Sequence, residues 1–228
     1  MHAGRADAQD AGGRRVTAQA ETLPSSSVTR SDKADLSRER ILRAASRLFR
    51  EQGYAAVSLR AIAAAAGMKA GSVYYHFSSK QSIVIAILDA GIVAVDQAVR
   101  SAVEQLPADA GAGGLIRAGV RAHLQALFDF SDYTSANVRI YAQVPPVVRQ
   151  ANLPMRRRYE ALWDRILVDC DRAGGLREAV DLKAFRLLLI GSLNATLEWF
   201  DSRHGRLEDL AERYADMLLN GLLRPPRA

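Results

Sequence analysis

Cysteine is nearly absent: Cys170 stands alone in 228 residues. No internal disulfide can form, and packing alone must hold the fold, as suits a reducing cytosol. Its setting in Ile166-Leu167-Val168-Asp169-Cys170 marks it as a small buried hydrophobe. The four histidines are scattered, and no set of His, Cys, Asp and Glu repeats at metal-ligand spacing, so no metal and no cofactor is expected. No serine or cysteine stands at readable spacing from a base, which argues against an enzyme. The one dense polar cluster, Asp201-Ser202-Arg203-His204, reads as a surface turn. The glycines of 107–114 follow no strand and precede no Gly-Lys-Ser/Thr, so they form no phosphate cradle. Long uncharged apolar runs are missing too. Ile83 to Val95 is broken by Asp89 and followed by Asp96, short of the roughly 18 residues of a membrane span. The N-terminus shows no apolar core with a cleavage site. A soluble cytoplasmic protein without membrane contact is expected.

Positive charge is abundant in one place. The chain carries 31 Lys+Arg against 25 Asp+Glu, a formal net charge of +6. Residues 36–80 hold eight of the cations (Arg38, Arg40, Arg43, Arg47, Arg50, Arg60, Lys69, Lys80) against Glu39 and Glu51, which accounts for the whole excess. A basic footprint confined to one segment is what attraction to nucleic-acid phosphates requires.

Within that segment, Ser58 to Lys80 reads as two short helices around a glycine turn. Ser58 can N-cap the first, whose Leu59, Ile62, Ala63 and Ala66 share a face. Gly67 stops it, because glycine enters the left-handed conformation without a Cβ penalty. The second, Ala70 to Phe77, is too short to persist alone, since isolated helices below about 12 residues are marginal in water. It is small at its front (Ala70, Gly71, Ser72) and carries hydrogen-bonding rings at its end (Tyr74, Tyr75, His76). Such a helix can enter a DNA major groove, with hydroxyl and imidazole groups reaching phosphates.

From Ser58 to Lys80 the chain resembles the TetR family of bacterial transcriptional regulators. It follows the pattern of Ser/Thr, apolar, basic, then Ile-Ala, Ala-Gly, Gly-apolar-Tyr-aromatic-His-Phe, and a lysine three residues on. Met68 replaces the usual valine, and Gln81 the common glutamate. The resemblance implies an all-α protein of about nine helices, with a three-helix helix-turn-helix head and a larger helical body for effector binding and dimerisation. It implies double-stranded operator DNA as partner, and homodimerisation through the last two helices. The expected DNA-binding residues are Ser58, Arg60, Lys69, Ala70, Ser72, Tyr74, Tyr75, His76 and Lys80.

The expected domains are a disordered arm (1–34), the DNA-binding head (35–80) and the body (81–228). The arm is polar and has no apolar periodicity, so it cannot bury enough surface to offset its ordering entropy. A first helix from about Ser37 to Gln52 places Ile41, Leu48 and Phe49 with Ile62, Val73 and Phe77 as the head's core, and Gly53 ends it. A fourth, capped by Ser79, runs to about Glu104. It is apolar nearly all round and hence buried on several sides, a mechanical link between head and body.

Farther on, helices are expected over Leu115 to Phe130, Asn137 to Val144 and Pro154 to Ala173, with Ser131 to Thr134 as a turn and Pro145-Pro146 as a stop. Arg156-Arg157-Arg158 opens the third of these, where cations oppose the macrodipole; a solvated face is the expectation, and an anion met by one of them the alternative. Leu182 to Phe200 and Leu207 to Leu222 expose more apolar surface than one body covers, which suits a two-fold dimer. Leu124, Phe128, Val138, Tyr141, Tyr159, Trp163 and Phe185 are the expected walls of a pocket for a small hydrophobic effector, aromatic or acyl. The stretch from Gly191 to Phe200 is similar to that of family members that sense acyl-CoA thioesters or other lipid intermediates. His123 is expected to be a satisfied core or surface histidine, with contact to the effector as the alternative. The sum is a ligand-responsive DNA-binding regulator, a repressor released from a palindromic operator by its effector. A DNA-binding architectural protein without effector is the alternative, and a helical enzyme the remotest.

Overall fold

The computed structural model describes residues 30–178 and 180–222, and the expected arm therefore lies almost wholly outside the described residues. The described residues form nine α-helices: α1 (Arg30–Ala56), α2 (Leu59–Ala65), α3 (Ala70–His76), α4 (Lys80–Glu104), α5 (Gly111–Asp129), α6 (Ser131–Ile140), α7 (Pro146–Arg172), α8 (Leu182–Trp199) and α9 (Leu207–Leu222). A 3-10 turn, Ser202–His204, joins the last two.

Local chemistry sets the boundaries in the head. Gly53 sits at φ 79 and ψ 164, so α1 breaks there and resumes for one turn to Ala56. Ser58 caps α2 by accepting the Ala61 N–H at 3.1 Å. At its far end the Met68 N–H reaches the Ala63 carbonyl (2.9 Å) and the Gly67 N–H reaches that of Ala64 (3.0 Å). Gly67 lies at φ 64, so this is a Schellman closure that a side-chain-bearing residue would strain. Ser79 and Ser82 form a reciprocal capping box that starts α4.

Two clusters of buried residues build the molecule. The first joins Ile41, Phe49, Ile62, Val73 and Phe77, with Leu48 packed at its edge. It does not stop at Lys80: Ile83, Val84, Ile87 and Leu88 of α4, with Ala136 and Ile140 of α6, belong to it. The second centres on Trp163, Leu124, Ile116 and Leu167 and extends to Leu189 and Leu193 of α8 and Ala215 of α9. Cys170 is buried in that cluster, and burial pushes its thiol up to about 11, so it stays an inert hydrophobe. α4 serves both clusters. By length and composition it could cross a bilayer, but half of that apolar stretch is buried inside the molecule, as in a core helix.

Three expectations are corrected. Ser131 to Thr134 do not form a turn but open α6, because α5 passes into α6 through Phe130 (φ −103, ψ 33) without a loop. Pro146 begins α7 instead of ending a helix, using its fixed φ at a position with no N–H partner to lose, and Pro154 lies inside. Arg156-Arg157-Arg158 therefore sit mid-helix, away from the N-terminal dipole.

Head and body are tied through α6. The Ser46 hydroxyl donates to the Asp132 carbonyl. Arg50 lies 3.4 Å from the Asp132 carboxylate, and the Tyr133 hydroxyl donates to Glu39 at 2.7 Å.

Candidate DNA-binding face and effector cavity

The exposed face of the head is built by α2 and α3. Ser58, Arg60, Lys69, Ala70 and Gly71 are exposed, and Ser72 and His76 half-exposed. Tyr74 and Tyr75 are 58% and 77% exposed, unusual for rings in a small domain. Tyr74 is therefore no part of the head's core. Tyr75 meets the His76 ring edge-on, 5.0 Å between centroids. Beneath this face, Val73 is fully buried and Phe77 nearly so, which anchors a helix too short to stand by itself. Arg40 fastens α1 to the end of α2 with a 2.7 Å bond to the Ala66 carbonyl.

Lys80 departs from its expected role as a free phosphate ligand. Its ammonium donates to the carbonyls of Tyr54 and Val57, each at 2.9 Å, and approaches that of Ala55 at 3.4 Å. It also sits 4.3 Å from the centre of the Tyr54 ring, and burial lowers its pKa. All three N–H groups face carbonyls at the end of α1, so Lys80 acts first as a cap that positions the head.

In the body, a half-open cleft with about 70 Å³ of accessible space lies between α4, α5, α6, α7 and α8. Ile92, Val95, Leu127, Val138 and Ile190 supply apolar walls, while His123, Thr134, Asn137, Arg156, Tyr159, Asn194 and the carboxylate of Glu160 supply polar groups. Of the seven expected wall residues, Val138 and Tyr159 line it. Leu124 and Trp163 are fully buried behind it as core. Tyr141 lies against Arg156, Phe128 belongs to a separate open groove beside Phe200, and Phe185 packs at the edge of the body core. Gly91 creates room on α4; a Cβ there would meet the Tyr133 carbonyl oxygen at 2.9 Å.

A buried hydrogen-bond chain forms one side of the cleft. Trp163 Nε1 donates to the Tyr159 hydroxyl (2.7 Å), and that hydroxyl meets His123 Nδ1 (2.5 Å). His123 Nε2 meets Asn194 Oδ1 at 3.3 Å. Only one assignment satisfies every atom: Tyr159 donates to Nδ1, and the imidazole proton sits on Nε2, facing Asn194. Burial drives the His123 pKa down to about 4, against the opposing hydrogen bond to Asn194, so the ring is neutral at physiological pH. Sequence reasoning took His123 for a satisfied histidine; it is that, and it lines the cleft as well.

Arg156 forms the opposite side. Its Nε donates to Asn152 Oδ1 (3.0 Å), its Nη2 to Asn137 Oδ1 (2.7 Å), and its guanidinium stacks 3.5 Å from the Tyr141 ring centre. Those two amides grip α4: Asn137 donates to the Leu88 carbonyl (2.6 Å) and Asn152 to the Asp89 carboxylate (2.7 Å). Asn137, Asn152 and Asn194 were missed. The available signal was an amide placed on an otherwise apolar helical face.

Apolar side chains remain exposed on the last two helices: Leu187 (57%) and Leu188 (61%) on α8, with Trp199 (55%), and Met217 (64%) on α9. Among the described residues there is no cluster of His, Cys, Asp and Glu able to hold a metal.

Comparison with known proteins agrees with this geometry. Residues 41–87 match the family described as bacterial regulatory proteins, tetR family, and residues 115–222 match the tetracyclin repressor-like C-terminal domain. The chain is 29% identical over 195 residues to the HTH-type transcriptional repressor KstR2 of Rhodococcus jostii, covering 82% of this chain and 92% of that one. The crystal structure of a tetR-family regulatory protein from Rhodococcus RHA1 superposes with a TM-score of 0.74 at 25% identity, over 83% and 98% of the two chains. The structure of AibR in complex with isovaleryl coenzyme A and operator DNA shares the fold, with a TM-score of 0.68 at 23% identity over 84% and 100%.

Proposed function

The chain belongs to the TetR family of bacterial DNA-binding transcriptional regulators, which are not enzymes; on that premise we propose that it is an effector-released repressor of a palindromic operator. Each head places α3 in a major groove, Ala70 and Ser72 against base edges and Lys69, Ser58, Arg60, Tyr74, Tyr75 and His76 on phosphates and sugars. The exposed Tyr74 and Tyr75 side chains carry this part of the reading: solvent-facing rings beside small residues have no packing role. Residues 35–80 form the DNA-reading unit and 81–228 the effector and dimer unit. Two copies pair through α8 and α9, covering Leu187, Leu188 and Met217, and thereby present their α3 helices about 34 Å, or a multiple, apart.

The cleft favours this reading over an architectural DNA-binding protein, which needs no lined cavity in its body. A small hydrophobic effector, acyl or lipid-like, occupies it. AibR, of the same fold, is known with an acyl coenzyme A, which supports that class. Both α4 and α6 line the cleft and pack into the head's core, so a ligand that prefers one arrangement of these helices shifts the spacing of the heads. The shift is limited to the ratio of the ligand's affinities for the two arrangements.

The test is fluorescence anisotropy of the full chain on DNA from its own upstream region, across a salt series and with candidate acyl compounds. Specific binding, a steep salt slope and release by a compound that occupies the cleft are expected. Affinity that ignores DNA sequence at every salt would refute the reading.

A further inference from the structure

Hydrogen-bond accounting within the cleft narrows the chemistry of its occupant. Both nitrogens of His123 are engaged, and the Tyr159 hydroxyl donates to one of them while accepting from Trp163. Thr134 donates to the Leu127 carbonyl at 2.6 Å. Asn137 uses its oxygen for Arg156 and its nitrogen for Leu88. Among the described residues that line the cleft, Arg156 Nη1 and Asn194 Nδ2 carry N–H groups with no protein acceptor. The Glu160 carboxylate also lines the cleft but lies 3.1 Å from the Arg186 guanidinium, which balances its charge, so the donors on Arg156 and Asn194 are the groups that an acceptor-bearing ligand would satisfy.

Charge is the second constraint. The buried cation of α8, Arg186, is matched by carboxylates: it lies 2.7 Å from Asp164 and 3.1 Å from Glu160, although the latter contact is misaligned for a hydrogen bond. Arg156 has none within ion-pair distance. Its partners are two neutral amide oxygens and a ring face. Glu160, one turn farther along α7, acts on it through space only, and burial presses the Arg156 pKa down. A partly desolvated guanidinium held by neutral groups gains most from an anion, because a carboxylate adds an opposite charge and can take two parallel N–H bonds from the guanidinium fork.

We propose that the cleft takes an organic acid, a molecule with a free carboxylate on a compact apolar body, and that Arg156 binds the carboxylate. The apolar body lies against Val95, Leu127, Val138 and Ile190. This deepens the effector reading and rests on it, and it distinguishes a free acid from its thioester. The same arginine touches both amides that grip α4 at Leu88 and Asp89, so an anion drawing the guanidinium toward itself acts directly on the helix that enters the head.

Calorimetric titration of the DNA-free full chain with octanoate, octanamide, octan-1-ol and octanoyl-CoA tests it. Octanoate is expected to bind at least tenfold more tightly than the other three. Arg156→Gln should weaken octanoate at least tenfold and leave octan-1-ol unchanged, and Arg156→Lys should restore part of the loss. The comparison of ligands on the unaltered protein stands even if the variants do not fold. Equal affinities for acid, amide and alcohol overturn the proposal, as does no binding by any of them, or tighter binding of octanoyl-CoA that Arg156→Gln does not alter. Operator anisotropy run in parallel separates the two readings. Specific DNA binding without acid preference sinks only the acid. Acid preference in a protein with no operator specificity supports this site chemistry and sinks the regulator.

Discussion

Acidification should destabilise this protein through one histidine. His123 is held neutral, its pKa lowered from the ordinary 6.5 to about 4, chiefly by burial. Because the folded-state value is depressed, the unfolded chain takes up a proton first as pH falls. Folding stability is therefore intact above about pH 6.5 and is lost progressively down to about pH 4, below which both states are protonated and the loss stops growing. The full loss is about 3 kcal/mol, and at pH 5 about 2 kcal/mol has gone. Replacing the ring by His123→Gln removes the titrating group and keeps hydrogen-bonding atoms for Tyr159 and Asn194. Urea unfolding at fixed protein concentration, at pH 7.0, 6.0, 5.0 and 4.5, reads the difference. The variant starts less stable at pH 7.0, but its curve should be flatter than the wild type's by about 2 kcal/mol at pH 5.0. The carboxylates held low by partners, such as Glu212 beside Arg121 and Arg117, titrate alike in both proteins and cancel. Parallel curves for the two proteins across this range would refute the assignment of a neutral, caged imidazole.

Further outcomes concern the two surfaces and the packing between them. Ala70→Glu should abolish operator binding by placing a carboxylate among phosphates, and Tyr75→Ala should weaken it on every sequence, with thermal stability altered by less than about 0.5 kcal/mol in either case; anisotropy and calorimetry check this. Lys80→Met should cost about 1 to 3 kcal/mol of stability by stripping the donors from the Tyr54 and Val57 carbonyls, while the salt slope of DNA binding stays unchanged; a slope reduced by about one would instead make Lys80 a phosphate ligand. Leu187→Asp with Leu188→Asp should yield monomers in sedimentation velocity at micromolar concentration and lose operator affinity with the dimer. Gly91→Ala, whose Cβ would press on the Tyr133 carbonyl oxygen, should destabilise by about 1 to 3 kcal/mol in urea unfolding.

The head was legible because its boundaries are written in residues with one mechanical meaning each. Ser58, Gly67 and Ser79 act as caps and a left-handed stop wherever they occur, and the structure uses all three so. The body was harder. Pro146 and Pro154 both read as helix starts or stops, and only tertiary packing decides that the first begins α7 and the second is tolerated inside it. The cleft was misjudged for a related reason. Periodicity finds large apolar residues, and the largest of these, Leu124 and Trp163, fill the core completely. Empty space arises where residues are small or polar, as at Gly91, Thr134 and Asn137, and no local pattern announces it. Lys80 matched the family's lysine by position, but the sequence does not reveal that its ammonium is consumed by backbone carbonyls.

The short helix α6 has two faces with different obligations. Thr134, Asn137 and Val138 look into the cleft, while Asp132, Tyr133 and Ile140 hold the head. Anyone retuning this scaffold as a biosensor inherits that entanglement: altering α6 to accept a new analyte also resets how tightly the reporter is clamped when no analyte is present. Diversity libraries are better seeded at Val95, Leu127 and Ile190, which line the cleft from helices that make no direct grip on α1 through those residues. Background and dynamic range can then be adjusted separately, at Glu39 and Arg50.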